Sequence, residues 1–232
     1  MDQETLSYYS ENAREVFERY NSVIGGISNY FNRAFPDKCR ILDIGCGSGR
    51  DLLALLKLGH DAYGIEPCRE LRELTCTKFP ELKGRIVEGS LPDPGLAFEG
   101  NFDALVCSAV LMHLPKEHLF DTVFSLRKLL KPGGKALISI PFSRDGISEA
   151  NRDDKGRLFS DLNSDYLELL FERTGFKLNE KWINEDSLKR PGFSWVTMLF
   201  ALLENESGRP IDRIESVLNR DKKDATYKLA LT

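Results

Sequence analysis

A glycine-rich stretch followed by an acidic residue carries the most informative chemistry in this sequence. Gly45, Gly47 and Gly49 lie in ILDIGCGSGRD, between an apolar run and a helical pattern. Residues without a Cβ let the backbone turn sharply and approach a flat ligand closely. Glu66 follows about 20 residues later at the end of the next apolar run, where a carboxylate can accept both hydroxyls of a ribose. The pattern predicts a nucleotide-type binding site.

The charge beside this loop distinguishes between possible ligands. A pyrophosphate cofactor favours the spacing GxGxxG, with its phosphates at a helix N-terminus. Here the loop reads DxGxGxG, and Asp43 is its acidic residue. A carboxylate at this place repels phosphate and attracts an ammonium or sulfonium group. The spacing and the charge therefore argue against a dinucleotide.

Three further side chains are candidates for chemistry, each with a structural alternative. His113 is a candidate general base, because the unperturbed pKa of histidine suits that role at neutral pH, but a packing or helix-start role fits as well. Cys46 is interpreted as a small residue lining the loop, because nothing near it in sequence would lower its pKa. Cys107 ends an apolar run, and a buried cysteine is favoured there over a nucleophile.

A charged segment over residues 143–157 interrupts the alternating pattern. Long loops inside compact domains are more often functional than accidental. We expect its charged residues either to hold an anionic acceptor or to be solvated; they are Arg144, Asp145, Arg152 and Arg157. Arg190 and Trp195, in KRPGFSW, are further candidates for an acceptor pocket.

The elements that must position these residues alternate along the chain. Spacing predicts an amphipathic helix from Leu6 to Tyr20, and later helices near residues 52–56, 71–74, 116–130 and 166–171. Seven apolar runs predict strands at residues 39–44, 62–65, 85–87, 103–107, 136–140, 176–183 and 195–202. Such alternation is typical of an α/β protein with a mostly parallel sheet covered on both faces. The last two strands, joined by a short turn, should form an antiparallel hairpin.

Several ordered motifs resemble the class I S-adenosylmethionine-dependent methyltransferases. ILDIGCGSGRD looks like motif I of that family, and Glu66 in YGIEP matches its ribose-binding acid. VEGSLPD is similar to the segment that holds adenine, FDALVCSAVLMHLP to the fourth strand with its loop, and SLRKLLKPGGKALIS to the next helix and strand. The resemblance covers about Tyr8 to Leu203. It implies a Rossmann-like, doubly wound, seven-stranded sheet.

The resemblance also implies a cofactor site for S-adenosylmethionine, with S-adenosylhomocysteine as product and no metal. The family commonly has Asp after the glycine of the third-strand segment, and this chain has Ser90 there. Its hydroxyl can accept a hydrogen bond from the adenine amino group, but more weakly than a carboxylate does. The expected cofactor contacts are Asp43, Gly45, Cys46, Gly47, Gly49, Glu66, Pro67, Gly89, Ser90, Leu91, Cys107, Ser108 and, closing over the ligand, Tyr9. Packing within its helix is the alternative for Tyr9.

Composition sets the broad class and location. The 232 residues are 41% hydrophobic and 29% charged, with a net charge of −4, so no basic field indicates a nucleic-acid partner. Five cysteines without a CxxC pair favour a reducing cytoplasm, and no membrane anchor or secretion signal is expected. We predict a methyltransferase domain over 1–204, a tail or linker over 205–232, and a monomer or weak homodimer.

Three functions remain open at this stage. The favoured one is methyl transfer to oxygen or nitrogen of a small molecule, with His113 as a candidate base and Arg144, Arg190 and Trp195 as candidate acceptor contacts. The second is methylation of RNA or a tRNA base, which would show salt-sensitive RNA binding. The third is a cofactor-binding module without turnover.

Overall fold

A seven-stranded sheet with helices on both faces organises residues 1–204, the part of the chain that the computed structural model describes. The strand order is β3-β2-β1-β4-β5-β7-β6. The strands are β1 Arg40–Ile44, β2 Asp61–Ile65, β3 Ile86–Val87, β4 Phe102–Ser108, β5 Leu130–Ser143, β6 Phe176–Glu185 and β7 Ser194–Leu202. Strands β1 to β5 are parallel, and β7 is antiparallel to both of its neighbours. The predicted α/β fold class and its C-terminal hairpin are confirmed.

Seven α-helices accompany this sheet in the described residues. They are α1 Gln3–Glu11, α2 Ala13–Asn21, α3 Phe31–Ala34, α4 Arg50–Lys57, α5 Arg69–Lys78, α6 Leu119–Leu129 and α7 Ser164–Arg173. Short 3-10 turns lie at Gly26–Tyr30, Pro80–Leu82, Ala97–Glu99, Leu111–His113 and Lys116–His118. Each α-helix from α4 to α6 connects two parallel strands, which is why their apolar faces cover the sheet.

Alternation along the strands sorts the core into two layers. Leu42 and Ile44 of β1 pack in the cluster that holds the buried faces of α6 and α7. Ile41, in the alternate phase of the same strand, packs in the opposite cluster with Leu52 and Leu55 of α4. Successive side chains of a strand point to opposite faces, so each central strand contributes to both layers. The sheet is thereby fixed in register, and its carboxyl ends form one edge.

The predicted single N-terminal helix is wrong, because the structure divides it into α1 and α2. Asn12 stands between them with φ −112° and ψ 20°, outside the helical region. Its backbone N–H and its side-chain amide both donate to the Tyr8 carbonyl, at 3.0 and 2.8 Å. Asparagine competes with the helix through such local bonds, and the helix is interrupted there.

Strand β5 is longer than the predicted run of 136–140 and continues past Pro141. Its pairing with β4 ends at Ser139, opposite Ser108, whereas its pairing with β7 continues to Ser143. Proline has no N–H to donate, and beyond Ser139 the strand has one described neighbour instead of two. Pro141 therefore lies where the strand needs fewer backbone hydrogen-bond donors.

The predicted tail, residues 205–232, lies outside the described residues, and the division at residue 204 stays a prediction. Within residues 1–204, no helix combines the length and the apolar character needed to cross a membrane.

The turn between β1 and α4 gives a stability test at Gly49. Its φ is +74°, and a Cβ there would lie 2.7 Å from Leu82 Cδ1 and 2.8 Å from Thr75 Cγ2, both on fully buried side chains. We expect Gly49→Ala to lower the free energy of unfolding by about 2 to 4 kcal/mol, from backbone strain plus overpacking. Urea unfolding measures this.

Gly84→Ala is the matched control, because Gly84 has φ +77° and no atom lies within 4 Å of the position that a Cβ would take there. It should show the backbone cost alone, about 1 to 2 kcal/mol. Equal losses in the two variants would contradict the overpacking at Gly49.

Candidate functional site

A deep cleft opens at the carboxyl ends of the parallel strands, where ligands of open α/β sheets bind. Its wall includes residues from the loops after β1, β2, β3, β4 and β5, and from α1, α2 and the β6–β7 turn. Sixteen of the site residues predicted from the sequence line it: Tyr9, Asp43, Gly45, Cys46, Gly47, Glu66, Pro67, Gly89, Ser90, Leu91, Ser108, His113, Arg144, Arg157, Arg190 and Trp195.

The glycine loop is tied to the end of β2. The backbone N–H groups of Gly45 and Cys46 both donate to the Ile65 carbonyl, at 2.8 and 3.0 Å. Gly47 has φ +50°, and a Cβ there would meet nothing closer than a backbone oxygen at 3.9 Å. Because side-chain volume is absent at a point that faces open space, the loop leaves room for a ligand against its backbone.

Glu66 is a buried carboxylate held by backbone donors. Its Oε2 accepts from the Gly47 N–H and its Oε1 from the Cys68 N–H, each at 2.9 Å. Burial raises the pKa of this carboxyl, and the two backbone N–H groups and Arg72 oppose that rise. Each carboxylate oxygen has more than one acceptor site, so both oxygens can also accept ligand hydroxyls.

Asp43 lies at the end of β1 with one carboxyl oxygen, Oδ2, buried and without a hydrogen-bond partner in the described structure. Burial raises its pKa well above the usual range, and the nearby Asp51 adds to that rise. Arg50 opposes it but donates its own hydrogen bonds to Asp51, at 2.8 and 3.0 Å. A buried acceptor without a donor fits a cationic ligand group.

Ser90 keeps its capacity to accept a hydrogen bond. Its hydroxyl donates to the Leu91 carbonyl at 3.1 Å, which leaves the oxygen lone pairs available at the cavity wall. These residues fit S-adenosylmethionine: an unpartnered carboxylate for its ammonium group, an anchored carboxylate for its ribose, and a serine for its adenine amine.

Two predicted cofactor contacts do not reach the cavity wall. Gly49 precedes α4 in a left-handed conformation and faces Leu82 and Thr75, so it shapes the turn instead of touching the cavity. Cys107 is fully buried in the sheet, and burial raises the pKa of its thiol strongly. The strand places Ser108, one residue later, at the wall.

His113 and Tyr9 form a hydrogen-bonded pair inside the cleft. The Leu158 carbonyl lies 2.6 Å from His113 Nδ1, and a carbonyl only accepts, so Nδ1 carries the proton. The neutral Nε2 then accepts from the Tyr9 hydroxyl at 3.2 Å. Burial lowers the pKa of His113 to about 4, with Arg157 and Arg144 adding to the effect. The imidazole is therefore neutral near pH 7.

Ion pairs build the other end of the cleft. Asp186 accepts from Arg190 Nε and Nη2 at 2.9 and 2.7 Å and from Trp195 Nε1 at 2.8 Å. Asp153 accepts from Arg157 Nε and Nη2 and from Arg144 Nη2, within 2.9 Å. The charged segment is therefore only partly solvated, because Arg144 and Arg157 point into the cleft and pair with Asp153.

Helix α1 is fastened to the same segment. Arg152 donates from both terminal nitrogens to the Asp2 carboxylate, at 3.0 and 2.9 Å. The Leu158 N–H donates to Thr5 Oγ1 at 2.8 Å. Helix α1 and the β5–α7 segment thus form one cover on the cleft.

Several residues of this end are not among those predicted from the sequence. Asp153, Asp186 and Phe159 each complete a contact with a predicted residue, and Tyr20 lines the cleft beside Tyr9. Nothing in their spacing indicates a ligand. The usable signals are two separations of four residues that suit an ion pair, Asp153–Arg157 and Asp186–Arg190.

Comparison with known proteins agrees with this geometry. Residues 13–181 match the protein family described as "Methyltransferase domain". The chain belongs to this methyltransferase family. The resemblance to S-adenosylmethionine-dependent methyltransferases of class I is confirmed.

Individual relatives of the methyltransferase share less than a third of its sequence. An uncharacterized methyltransferase of Alkaliphilus oremlandii is 29% identical over 173 residues, covering 71% of this chain and 76% of the relative. The 1,6-didemethyltoxoflavin-N1-methyltransferase of Burkholderia thailandensis, solved with 1,6-didemethyltoxoflavin and S-adenosylhomocysteine, superposes with a TM-score of 0.68 at 19% identity, covering 87% and 88% of the two chains. A TehB-like methyltransferase of Corynebacterium glutamicum gives 0.60 at 23%, covering 84% and 96%. The two structures share the fold.

Within residues 1–204, the structure brings together no group of three or more His, Cys, Asp or Glu residues able to hold a metal ion.

The buried imidazole of His113 gives a pH prediction. The pKa of this imidazole is about 4 in the folded chain and 6.5 for an ordinary histidine. Between pH 6.5 and pH 4, the imidazole is therefore protonated in the unfolded chain and neutral in the folded chain. The free energy of unfolding therefore falls as the pH falls through this interval, by roughly 3 kcal/mol from this group. We expect His113→Gln to show a shallower decline in urea unfolding measured across the interval.

His118→Gln, at an exposed position, is the control and should keep the wild-type pH dependence. Equal slopes for His113→Gln and the wild type would show that the imidazole is not held in the neutral form.

Proposed function

We propose that this methyltransferase transfers a methyl group from S-adenosylmethionine to an oxygen or nitrogen atom of a small molecule. The observation that carries the proposal is the Glu66 carboxylate, held between the Gly47 and Cys68 N–H groups at the wall of the cleft. An anchored carboxylate recognises a vicinal diol without having to reorganise. In this chain it faces the same cleft as the unpartnered Asp43 oxygen.

We assign a role in cofactor binding to each residue around the glycine loop. Glu66 holds the ribose hydroxyls, and Asp43 attracts the ammonium group. Gly45, Cys46 and Gly47 supply a backbone wall, with Ser90 next to the adenine. When bound, S-adenosylmethionine supplies an electrophilic methyl group on a sulfonium centre.

The protein's main contributions to the reaction are to position the acceptor atom and to exclude water from the cleft. Holding the acceptor atom about 3 Å from the methyl carbon and in line with the leaving sulfur supplies much of the rate enhancement. Tyr9 of α1 and the cover formed by α1 and the β5–α7 segment exclude water from the cleft. These tasks need no nucleophile, which agrees with a buried and protonated Cys107.

His113 is proposed as the group that receives a proton from the acceptor, or as the group that orients Tyr9. Its low pKa makes it a weak base, and both ring nitrogens are engaged. These two facts support the orienting role more than the basic one. An acceptor that displaces the Tyr9 hydroxyl from Nε2 would restore the basic role.

The surroundings support a small acceptor. The cleft is roofed by α1 and the β5–α7 segment, and the net charge of −4 supplies no general attraction for a polyanion. One structural neighbour holds 1,6-didemethyltoxoflavin, a small molecule, together with S-adenosylhomocysteine.

Calorimetric titration with S-adenosylhomocysteine tests the cofactor site. We expect micromolar binding to the wild type and a loss of at least about tenfold in Glu66→Ala, because hydrogen bonds to a charged group are lost. Gly47→Val should lose as much, since its φ of +50° disfavours a branched side chain that would also fill the cleft. No binding to the wild type would overturn the proposal.

Arg33→Gln is the control for these titrations, because Arg33 pairs with Glu180, neither residue lines the cleft, and Arg33 is largely exposed. It should bind like the wild type. Thermal unfolding of each variant separates lost contacts from lost folding.

Turnover is tested with methyl-labelled S-adenosylmethionine and two acceptor fractions from cells, one of small molecules and one of RNA. Label in the small-molecule fraction supports the proposal. Label confined to RNA, or none in either fraction despite tight cofactor binding, would replace it with the RNA enzyme or the binding module.

A further inference from the structure

The buried acceptor end of the cleft holds more positive than negative groups. Arg144, Arg157 and Arg190 line it, and Asp153 and Asp186 neutralise two of the three guanidinium charges. Glu185 also lines the cleft but is exposed to solvent.

The three arginines are not equally satisfied. Arg157 gives Nε and Nη2 to Asp153, and Arg190 gives the same two atoms to Asp186. Arg144 shares Asp153 through Nη2 alone, while its Nε is buried and has no hydrogen-bond partner in the described structure. A buried donor without an acceptor is costly, so this atom is prepared for a ligand.

Arg144 is also held rigidly. Its side chain is 10% exposed, and its guanidinium carbon lies 3.2 Å from the centre of the Phe159 ring and 5.0 Å from that of Phe193. Stacking between aromatic rings fixes the plane of a guanidinium. Asp153 is already saturated, since it also accepts from the backbone N–H groups of Lys155 and Arg157. The remaining charge of Arg144 is therefore left for a ligand.

We propose that the methyl acceptor is an organic acid, whose carboxylate or phosphate pairs with the Arg144 guanidinium at the Phe159 face of the cleft. This inference rests on the proposed function and adds the chemical class of its substrate. A fixed guanidinium fork matches the geometry of a carboxylate or phosphate, and burial strengthens the pair. Neutral isosteres give the Arg144 guanidinium no charged acceptor beyond the Asp153 carboxylate that it shares with Arg157, and they are rejected.

The test uses protein saturated with S-adenosylhomocysteine and three probes: benzoate, phenyl phosphate and the neutral isostere benzamide. Calorimetry or ligand-observed NMR measures their affinities. We expect one of the two anions to bind at least about tenfold more tightly than benzamide, because a charge-assisted bond replaces a neutral one. Which anion is preferred identifies the acceptor group as a carboxylate or a phosphate.

Variants assign the preference to Arg144. In Arg144→Gln the anion preference should disappear, in Arg144→Lys it should be reduced because the planar fork is lost, and in Arg33→Gln it should persist. The affinity for S-adenosylhomocysteine should be unchanged in all three variants. Unfolding curves verify that each variant is folded.

Four outcomes overturn the inference. Equal affinity for benzamide and the anions, or no anion binding at millimolar concentration, removes the anion site. Persistence of the preference in Arg144→Gln assigns it to another group. A large loss of S-adenosylhomocysteine affinity in Arg144→Gln means that Arg144 holds the cofactor carboxylate. Failure of the wild type to bind S-adenosylhomocysteine would instead overturn the proposed function itself.

Discussion

The double hydrogen bond of the Glu66 carboxylate is the interaction on which the cleft depends. One oxygen holds the glycine loop after β1 through Gly47, and the other holds the start of α5 through Cys68. Two connections of the sheet are thereby fixed relative to each other at the edge where ligands bind. Burial raises the pKa of this carboxyl and the two backbone N–H groups oppose that rise, so the bonds that join the two connections also lower the cost of burying the acid.

Electric charge divides the cleft into two ends. Asp43, Asp51 and Glu66 make the glycine-loop end acidic, with Arg50 the cation beside them. The opposite end carries the arginines of the β5–α7 segment and the β6–β7 turn. A cofactor with ammonium and sulfonium charges, together with the acidic acceptor proposed above, would be complementary to such a division.

The sequence predicts the sheet, and the position of the glycine loop at its edge, for a physical reason. Strand positions follow from short apolar runs, and Gly45, Gly47 and Glu66 are adjacent to the elements that place them, so local pattern determines their position. The arginine-lined end of the cleft depends on contacts between distant residues, such as Arg152 with Asp2 and Leu158 with Thr5. No spacing rule contains that information. The break at Asn12 is hidden from the pattern because the apolar periodicity continues through it while the helical backbone does not.

The attachment of α1 to the β5–α7 segment determines how the cleft can open. Because Asp2 and Arg152 share two hydrogen bonds and Thr5 holds the Leu158 N–H, neither part can swing away alone without breaking them. The Leu158 carbonyl on the same peptide segment holds His113, which in turn holds Tyr9. The two parts therefore remain together unless these hydrogen bonds break, and the tautomer of the His113 imidazole is fixed by a carbonyl that belongs to the same cover.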